Sequence, residues 1–470
     1  MKKPRIYLFN TLSGKKEIFK PLRKKIVTMY NCGPTVYDRA HIGNLRAYIM
    51  ADVLRRVLEY NGFKVKQIIN ITDVGHLVSD SDTGEDKIEK RAKEEKTSAW
   101  DIAKKYENLF KKDLKKLNIQ FPFKFPKATS HIKDMINLIK VLESKGYTYK
   151  ISDGIYFDTS KFKDYGKLGN LKNKKLLAGA RIEFNPEKKN IYDFALWKFS
   201  PSNIKRQMEW KSPWGKGFPG WHIECSAMAM KYLGQTIDIH TGGIDHIDIH
   251  HNNEIAQSEA ATGKKFVKYW IHFNFVLVDN QKMSKSLGNI LTLDDIENSN
   301  LNPLSYKYLI LTSHYKSEFN FTFKSLNSAE IAYNGIKQYL LSQQIIFTKE
   351  NKINYRLDKD EIKFKILKII NNDFDTPGLI SFLWNILRSD KNLEYKKLFI
   401  YEVDKLLGLN LSKDVKSFKI PPEIKKLIFK RENLRRTKNW QEADKIREFI
   451  FLKGFKIDDI KGGVVVKKNL

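Results

Sequence analysis

Apolar residues form strand-like and helix-like runs that alternate in two separate stretches of the chain. Between Lys25 and Thr72 an apolar run at Ile26–Tyr30 reads as a buried strand, and Gly33-Pro34 reads as a turn. Leu45, Ile49, Leu54, Val57 and Leu58 then recur at helical spacing, and Gly62 stands where a left-handed residue would end the helix. A second strand is expected at Val65–Ile71. This is one βαβ unit, the opening of a nucleotide-binding fold. The rhythm returns with a strand at Thr236–His240, a helix from about His251 to Gly263 and a strand at Tyr269–Phe275.

From about Ser98 to Lys211 the pattern is a charged mixture without that alternation, which reads as an insertion. Beyond Asn300 the pattern is helical, and Asp375-Thr376-Pro377 offers an N-cap leading into Leu379–Leu387. The tail from Leu411 reads as two helices broken near Asn439 and a short strand at Val464–Val466. The expected class is α/β: a Rossmann-type parallel-sheet domain split by an insertion, then an α-helical bundle and a small C-terminal α/β module. The boundaries expected are 1–115 and 216–300 for the two halves, 116–215 for the insertion, 301–410 for the helical region and 411–470 for the tail. There is no internal repeat or low-complexity segment.

The chain has 470 residues, of which 41% are hydrophobic, enough to bury a large core and to exclude a disordered chain. Its net charge of +31 suits a polyanionic partner, although a lysine-rich proteome would produce the same excess. The tail alone carries 17 lysines and arginines against 8 acids. Met1-Lys2-Lys3 is followed by an apolar run of only Ile6 to Phe9, too short for a signal-peptide core, and no stretch approaches membrane-spanning length. Cys32 and Cys225 are the only cysteines, which argues against a disulfide framework. A cytoplasmic monomer with no membrane partner is expected.

Candidate chemistry begins at His41-Ile42-Gly43-Asn44, where a strand enters a helix and the free N–H groups of the helix attract phosphate. An ordinary βα turn with a capping Asn would look the same. Lys282-Met283-Ser284-Lys285-Ser286 follows an Asp279-Asn280 turn and offers two lysines on a loop to a triphosphate. The two segments lie about 240 residues apart and resemble the HIGH and KMSKS elements of class I aminoacyl-tRNA synthetases. The fourth HIGH position is Asn44, whose amide donates to phosphate but carries no charge.

Four further stretches resemble the cysteinyl-tRNA synthetases within that class. They are Tyr30-Asn31-Cys32-Gly33-Pro34-Thr35-Val36-Tyr37-Asp38, Asn70-Ile71-Thr72-Asp73, Pro219-Gly220-Trp221-His222-Ile223-Glu224-Cys225-Ser226-Ala227-Met228 and His250-His251-Asn252-Asn253-Glu254. Cys32 and Cys225 would supply soft thiolates from strand ends, and His250 and Glu254 at i and i+4 would complete a tetrahedral zinc set. His251 also lies within a turn of Glu254, so preferring His250 rests on the resemblance alone. The resemblance further implies that Thr72 and Trp221 line a cysteine pocket crowded by His222 and His240. It implies that Gly43, Asn44 and the Gly242-Gly243-Ile244-Asp245 turn contact the nucleotide, Asp245 at the ribose hydroxyls.

The activity implied is ATP·Mg²⁺-dependent formation of cysteinyl-adenylate, aided by His41, Lys282 and Lys285, then transfer to the 3′ adenosine of tRNA(Cys), with one zinc selecting the cysteine thiolate. A related ligase that passes cysteine to an amino sugar would lack the RNA-reading tail. Here Arg431-Glu432-Asn433 and Trp440-Gln441-Glu442-Ala443-Asp444 resemble the synthetase C-terminal, anticodon-binding region. A zinc-stabilised RNA-binding protein without catalysis is the remaining alternative, and intact His41 and Lys285 speak against it.

Overall fold

A computed structural model describes residues 3–74, 86–171, 185–201, 206–284, 287–341, 343–347, 355–411, 420–460 and 463–468. Its centre is built from β1 (Ile26–Asn31), α1 (Ile42–Tyr60), β2 (Lys64–Ile69), α2 (Ile223–Leu233), β3 (Ile237–Gly243), α3 (His250–Thr262) and β4 (Val267–Phe273). The four strands are parallel in the order β4-β3-β1-β2, with Met29 opposite Ile239 and Ile239 opposite Tyr269. The order reverses between β1 and β3, which opens a crevice at their C-terminal ends, the usual ligand position in such sheets. The Cys32 N–H donates to the Thr241 carbonyl there at 3.2 Å, which extends the β1–β3 ladder to Cys32 at the crevice.

Both helix ends anticipated from glycine fall where the chain turns left-handed. Gly62, one residue past the α1 cap, has φ +92°, and Gly263 caps α3 at φ +69° with its N–H on the Glu259 carbonyl. α3 is unusual in composition: His250, His251, Asn252, Asn253, Glu254, Gln257 and Ser258 are all buried. Such a helix is stable only if its polar groups are partnered. Gln257 and Ser258 both donate to the Ser226 hydroxyl of α2, at 2.7 and 2.9 Å, and Tyr165 of the insertion donates to Asn253 at 2.6 Å.

The insertion forms a five-stranded antiparallel sheet, ordered Thr148–Ile151, Gly154–Phe157, Phe194–Phe199, Gly215–Pro219, Trp210–Ser212. Its Gly215–Pro219 strand delivers Trp221 and His222 to the start of α2. After β4, β5 (Val276–Val278) and β6 (Gln281–Lys282) make a hairpin through Asp279 and Asn280, at φ +49° and +63°. β5 also pairs in parallel with β7 (Phe319–Phe321). Lys282, expected on a loop, therefore lies on a strand, because the two-residue turn lets Leu277 pair with it directly.

Asp375 caps the Thr376–Arg388 helix, its carboxylate accepting from the Gly378 N–H at 2.9 Å. In the tail, helices Pro422–Arg436 and Trp440–Leu452 break at Asn439, and strands Phe455–Ile460 and Gly463–Lys468 form a hairpin. Gln343–Phe347, distant in sequence, adds a third antiparallel strand along Gly463–Lys468. Two large cores result: one packs α1 against the C-terminal helices, the other packs α2 and α3 against the insertion.

Candidate active site and metal centre

Cys32 leaves the end of β1, Cys225 lies in the first turn of α2, and His250 and Glu254 share a face of α3. The expectation that both thiols come from strand ends thus holds for Cys32 only; Cys225 is helical because Ile223–Leu233 pairs its small and apolar residues with α3. One donor atom from each of Cys32, Cys225, His250 and Glu254 lies within 4.8 Å of all the others. Tetrahedral zinc with ligands at about 2.0–2.3 Å separates neighbouring donors by about 3.3–3.8 Å, so a small inward adjustment would seat it. A second set, Cys32, His240, His251 and Glu254, satisfies the same limit and shares Cys32 and Glu254 with the first.

Glu254 is fully buried and divided between histidines. Its Oε1 lies 3.1 Å from His250 Nε2 and 3.8 Å from His251 Nε2, and its Oε2 lies 2.9 Å from His240 Nε2. Burial alone would raise its pKa; the charges and hydrogen bonds of His240 and His250 prevail and hold it at about 2. Burial likewise opposes charge on His250, but hydrogen bonds to Cys225 and Glu254 lift it to about 10. A hydrogen bond from Cys32 brings the Cys225 thiol down to about 7 against burial, while burial and Cys225 push Cys32 up.

The surrounding histidines form chains. His250 Nδ1 lies 2.8 Å from His222 Nδ1, and His251 Nδ1 lies 2.7 Å from His272 Nε2, whose Nδ1 faces the Thr11 hydroxyl at 2.7 Å. Trp221 stacks at a tilt on His250 with ring centres 4.7 Å apart. Thr72 donates to Glu224 at 3.0 Å and accepts from Asn70 at 3.1 Å, and the Asn70 carboxamide oxygen takes the Gly33 N–H at 2.7 Å. A Cβ on Gly33 would fall 1.6 Å from the Asn70 carbonyl oxygen, so only glycine lets the chain leaving β1 run this close to the chain leaving β2. Asn70, Glu224, His251 and His272 thus belong to the site, as does His246, whose ring centre lies 5.2 Å from that of His250 and 5.1 Å from that of His251. His251 aside, sequence reasoning assigned none of them, because their partners are remote in the chain.

His41 caps α1: its Nδ1 accepts the Asn44 N–H and the Asn44 side chain accepts the His41 N–H, both at 3.2 Å. This is a capping box, so the oxygen of Asn44 is spent on the helix end. Burial lowers the His41 pKa despite Asp245 and Asp38. A neutral ring accepting at Nδ1 carries its proton on Nε2 and remains a donor. Met283 reaches this helix end: a Cβ built on Gly43 would come 2.7 Å from its methyl carbon. The Lys282 segment and the His41 segment are therefore in contact. Asp245 occupies a short turn after β3, beside His246. Lys285 lies outside the described residues.

Residues 18–331 match the family described as tRNA synthetases class I (C) catalytic domain, which defines the class. A solved Mycobacterium tuberculosis methionyl-tRNA synthetase bound by methionyl-adenylate shares the fold at a TM-score of 0.53 and 13% identity, over 84% of this chain and 90% of that one. A cysteine–tRNA ligase 1 of Burkholderia lata is 44% identical over 97% of this chain and 95% of its own length. A cysteine–tRNA ligase of Treponema denticola is 42% identical over 98% and 99%. The chain belongs to the cysteine–tRNA ligase family of class I synthetases. Among the described residues no helix is long and apolar enough to cross a membrane.

Proposed function

We propose that this protein activates L-cysteine with ATP·Mg²⁺ and transfers the cysteinyl group to the 3′ adenosine of tRNA(Cys), with one zinc held by Cys32, Cys225, His250 and Glu254. The observation that carries this reading is the convergence of both thiols with His250 and Glu254 at the end of the sheet where α1 begins. The set with two thiols is preferred over the set with His240 and His251, because it presents two soft donors and leaves no buried thiol idle. Bound there, zinc supplies a soft Lewis acid that favours a thiolate and has little affinity for the hydroxyl of serine.

Four protein ligands normally close a zinc site, whereas a substrate thiol needs a position. Glu254 is the hardest of the four and would be the one to yield that position, where His240 on its other oxygen would keep the carboxylate partnered. Trp221 and Thr72 border the site, and His222 orients His250 through their shared contact. A site this selective for a thiol needs no second, hydrolytic site to remove serine.

The substrate carboxylate oxygen attacks the α-phosphorus of ATP, and the bond to the bridging oxygen breaks to release pyrophosphate. The His41 Nε2–H and the ammonium groups of Lys282 and Lys285 meet the charge that develops on the phosphates. Gly43 and Asn44 at the α1 N-terminus and Asp245 bind the nucleotide. The ribose hydroxyl of the terminal adenosine then attacks the acyl carbon, and AMP leaves. Residues 411–470 act as the anticodon-binding module and 301–410 as the stem-contact and helix-bundle region, a reading supported by the excess of basic residues in the tail. The test is cysteine-dependent exchange of pyrophosphate into ATP, followed by charging of tRNA(Cys).

A further inference from the structure

Arg46, one turn into α1, is fully buried, and no carboxylate pairs with it among the described residues. Its charge is spent on four backbone carbonyls. Nη1 donates to Asn274 and Phe275 at 3.0 and 2.6 Å, and Nη2 donates to His314 and Ser317 at 3.1 and 2.7 Å. The first pair lies between β4 and β5, the second just before β7, and β5 and β7 are hydrogen-bonded neighbours. One guanidinium thus stitches together the roots of both strands.

Burying an arginine this way is costly, and an aliphatic residue would fill the same space. What the arginine adds is direction, because its planar fork fixes four acceptors at once. Phe275 links that fork to the hairpin: its carbonyl accepts from Arg46, and its ring lies 4.9 Å from the Lys282 ammonium. The far end of the same segment is also held by α1, where the Ile42 N–H donates to the Leu291 carbonyl at 2.8 Å and His41 bridges Thr292.

We propose that Arg46 is a positioning residue for ATP use, aiming Lys282 at the triphosphate through Phe275. The inference rests on the reading of Lys282 as a phosphate partner given above. Lysine at position 46 keeps the charge but offers three donors from one point, too few for four carbonyls on two turns. Phe275→Leu keeps the carbonyl bond and removes the ring beneath Lys282, without leaving a charge buried.

The experiment is cysteine-dependent pyrophosphate exchange on the full chain, with Arg46→Lys and Phe275→Leu each made alone and combined with Lys282→Ala. Each is expected to raise the KM for ATP on the order of tenfold, to leave the KM for cysteine within about twofold, and to add little in the Lys282→Ala background. Equal losses in both backgrounds, or parallel losses in both KM values, would overturn the coupling. Should Arg46→Lys fail to fold, Phe275→Leu still tests the ring contact through which Arg46 must act, and an unchanged KM for ATP in that variant overturns the proposal. Absence of exchange in the parent enzyme would instead refute the proposed function, so the two failures are distinguishable.

Discussion

His240 Nε2 lies 2.9 Å from Glu254 Oε2, on the oxygen that does not face His250. A histidine so placed fixes the carboxylate's rotamer and its charge, the job of an outer partner in a metal site. His240→Ala should weaken zinc binding by about 10–100-fold without abolishing it. Competition against a chromophoric chelator measures this, and an unchanged affinity would show that Glu254 needs no such support.

The two candidate donor sets make opposite demands on single substitutions. Cys225→Ala should empty the site, with a loss beyond the about 10–100-fold typical of an outer partner, while His251→Ala should keep one zinc per chain. Metal analysis of the purified variants decides. Retention in Cys225→Ala together with loss in His251→Ala would move the zinc to the set with His240.

Much of the scaffold was legible because local rules govern it. Gly62, Gly263, Asp375 and Asn439 each end or start a helix through a conformation or cap that the residue type itself favours. The site was legible in part. His250 and Glu254 share a helix face by spacing, but the Cys225 helix, the His251–His272 contact and the Arg46 carbonyl cluster depend on partners far away in sequence, and no periodicity encodes them. Gln343–Phe347 joins the tail sheet for the same reason: its partner is more than a hundred residues downstream.

Asp52 and Lys307 form a fully buried pair at 3.0 Å, with Arg56 on the same carboxylate at 2.8 Å. Burial lowers the Lys307 pKa to about 8, Asp52 resisting the fall. Asp52→Asn should cost about 3–5 kcal/mol at neutral pH, because it leaves the buried Lys307 without its counter-charge and forces it to give up its proton on folding. The sign of the pH dependence follows from protons. Below about 8 native Lys307 keeps its proton in the parent but sheds it in the variant while the unfolded chain holds it, so the deficit shrinks as pH rises toward that value and levels once the parent's Lys307 is also neutral. Urea unfolding at several pH values checks this; a deficit that grows with pH would contradict the pairing.

Trp440, Phe449 and Phe451 are exposed in the basic tail, at 56%, 47% and 54%. Exposed rings beside basic residues are suited to stacking on unpaired bases, at about 1–3 kcal/mol per base. Replacing all three with alanine should lower tRNA charging and spare pyrophosphate exchange. Substitution is a cleaner test than truncation, since removing the tail would leave the Gln343–Phe347 strand without its sheet. Equal loss of both activities would mean that the rings serve folding.

Lys285→Ala should slow exchange while zinc content and cysteine binding hold, because the charge is needed where the triphosphate reorganises. An unchanged exchange rate at saturating ATP would remove Lys285 from the chemistry.

The most direct test of the thiol-selective centre is amino-acid-dependent pyrophosphate exchange by the zinc-loaded full chain, with cysteine and serine in parallel and tRNA(Cys) charging read afterwards. Cysteine should support exchange and charging, and serine should fall short by about 10⁴-fold or more. Comparable exchange with serine, or cysteine activation followed by transfer to an amino sugar and not to tRNA, would contradict it.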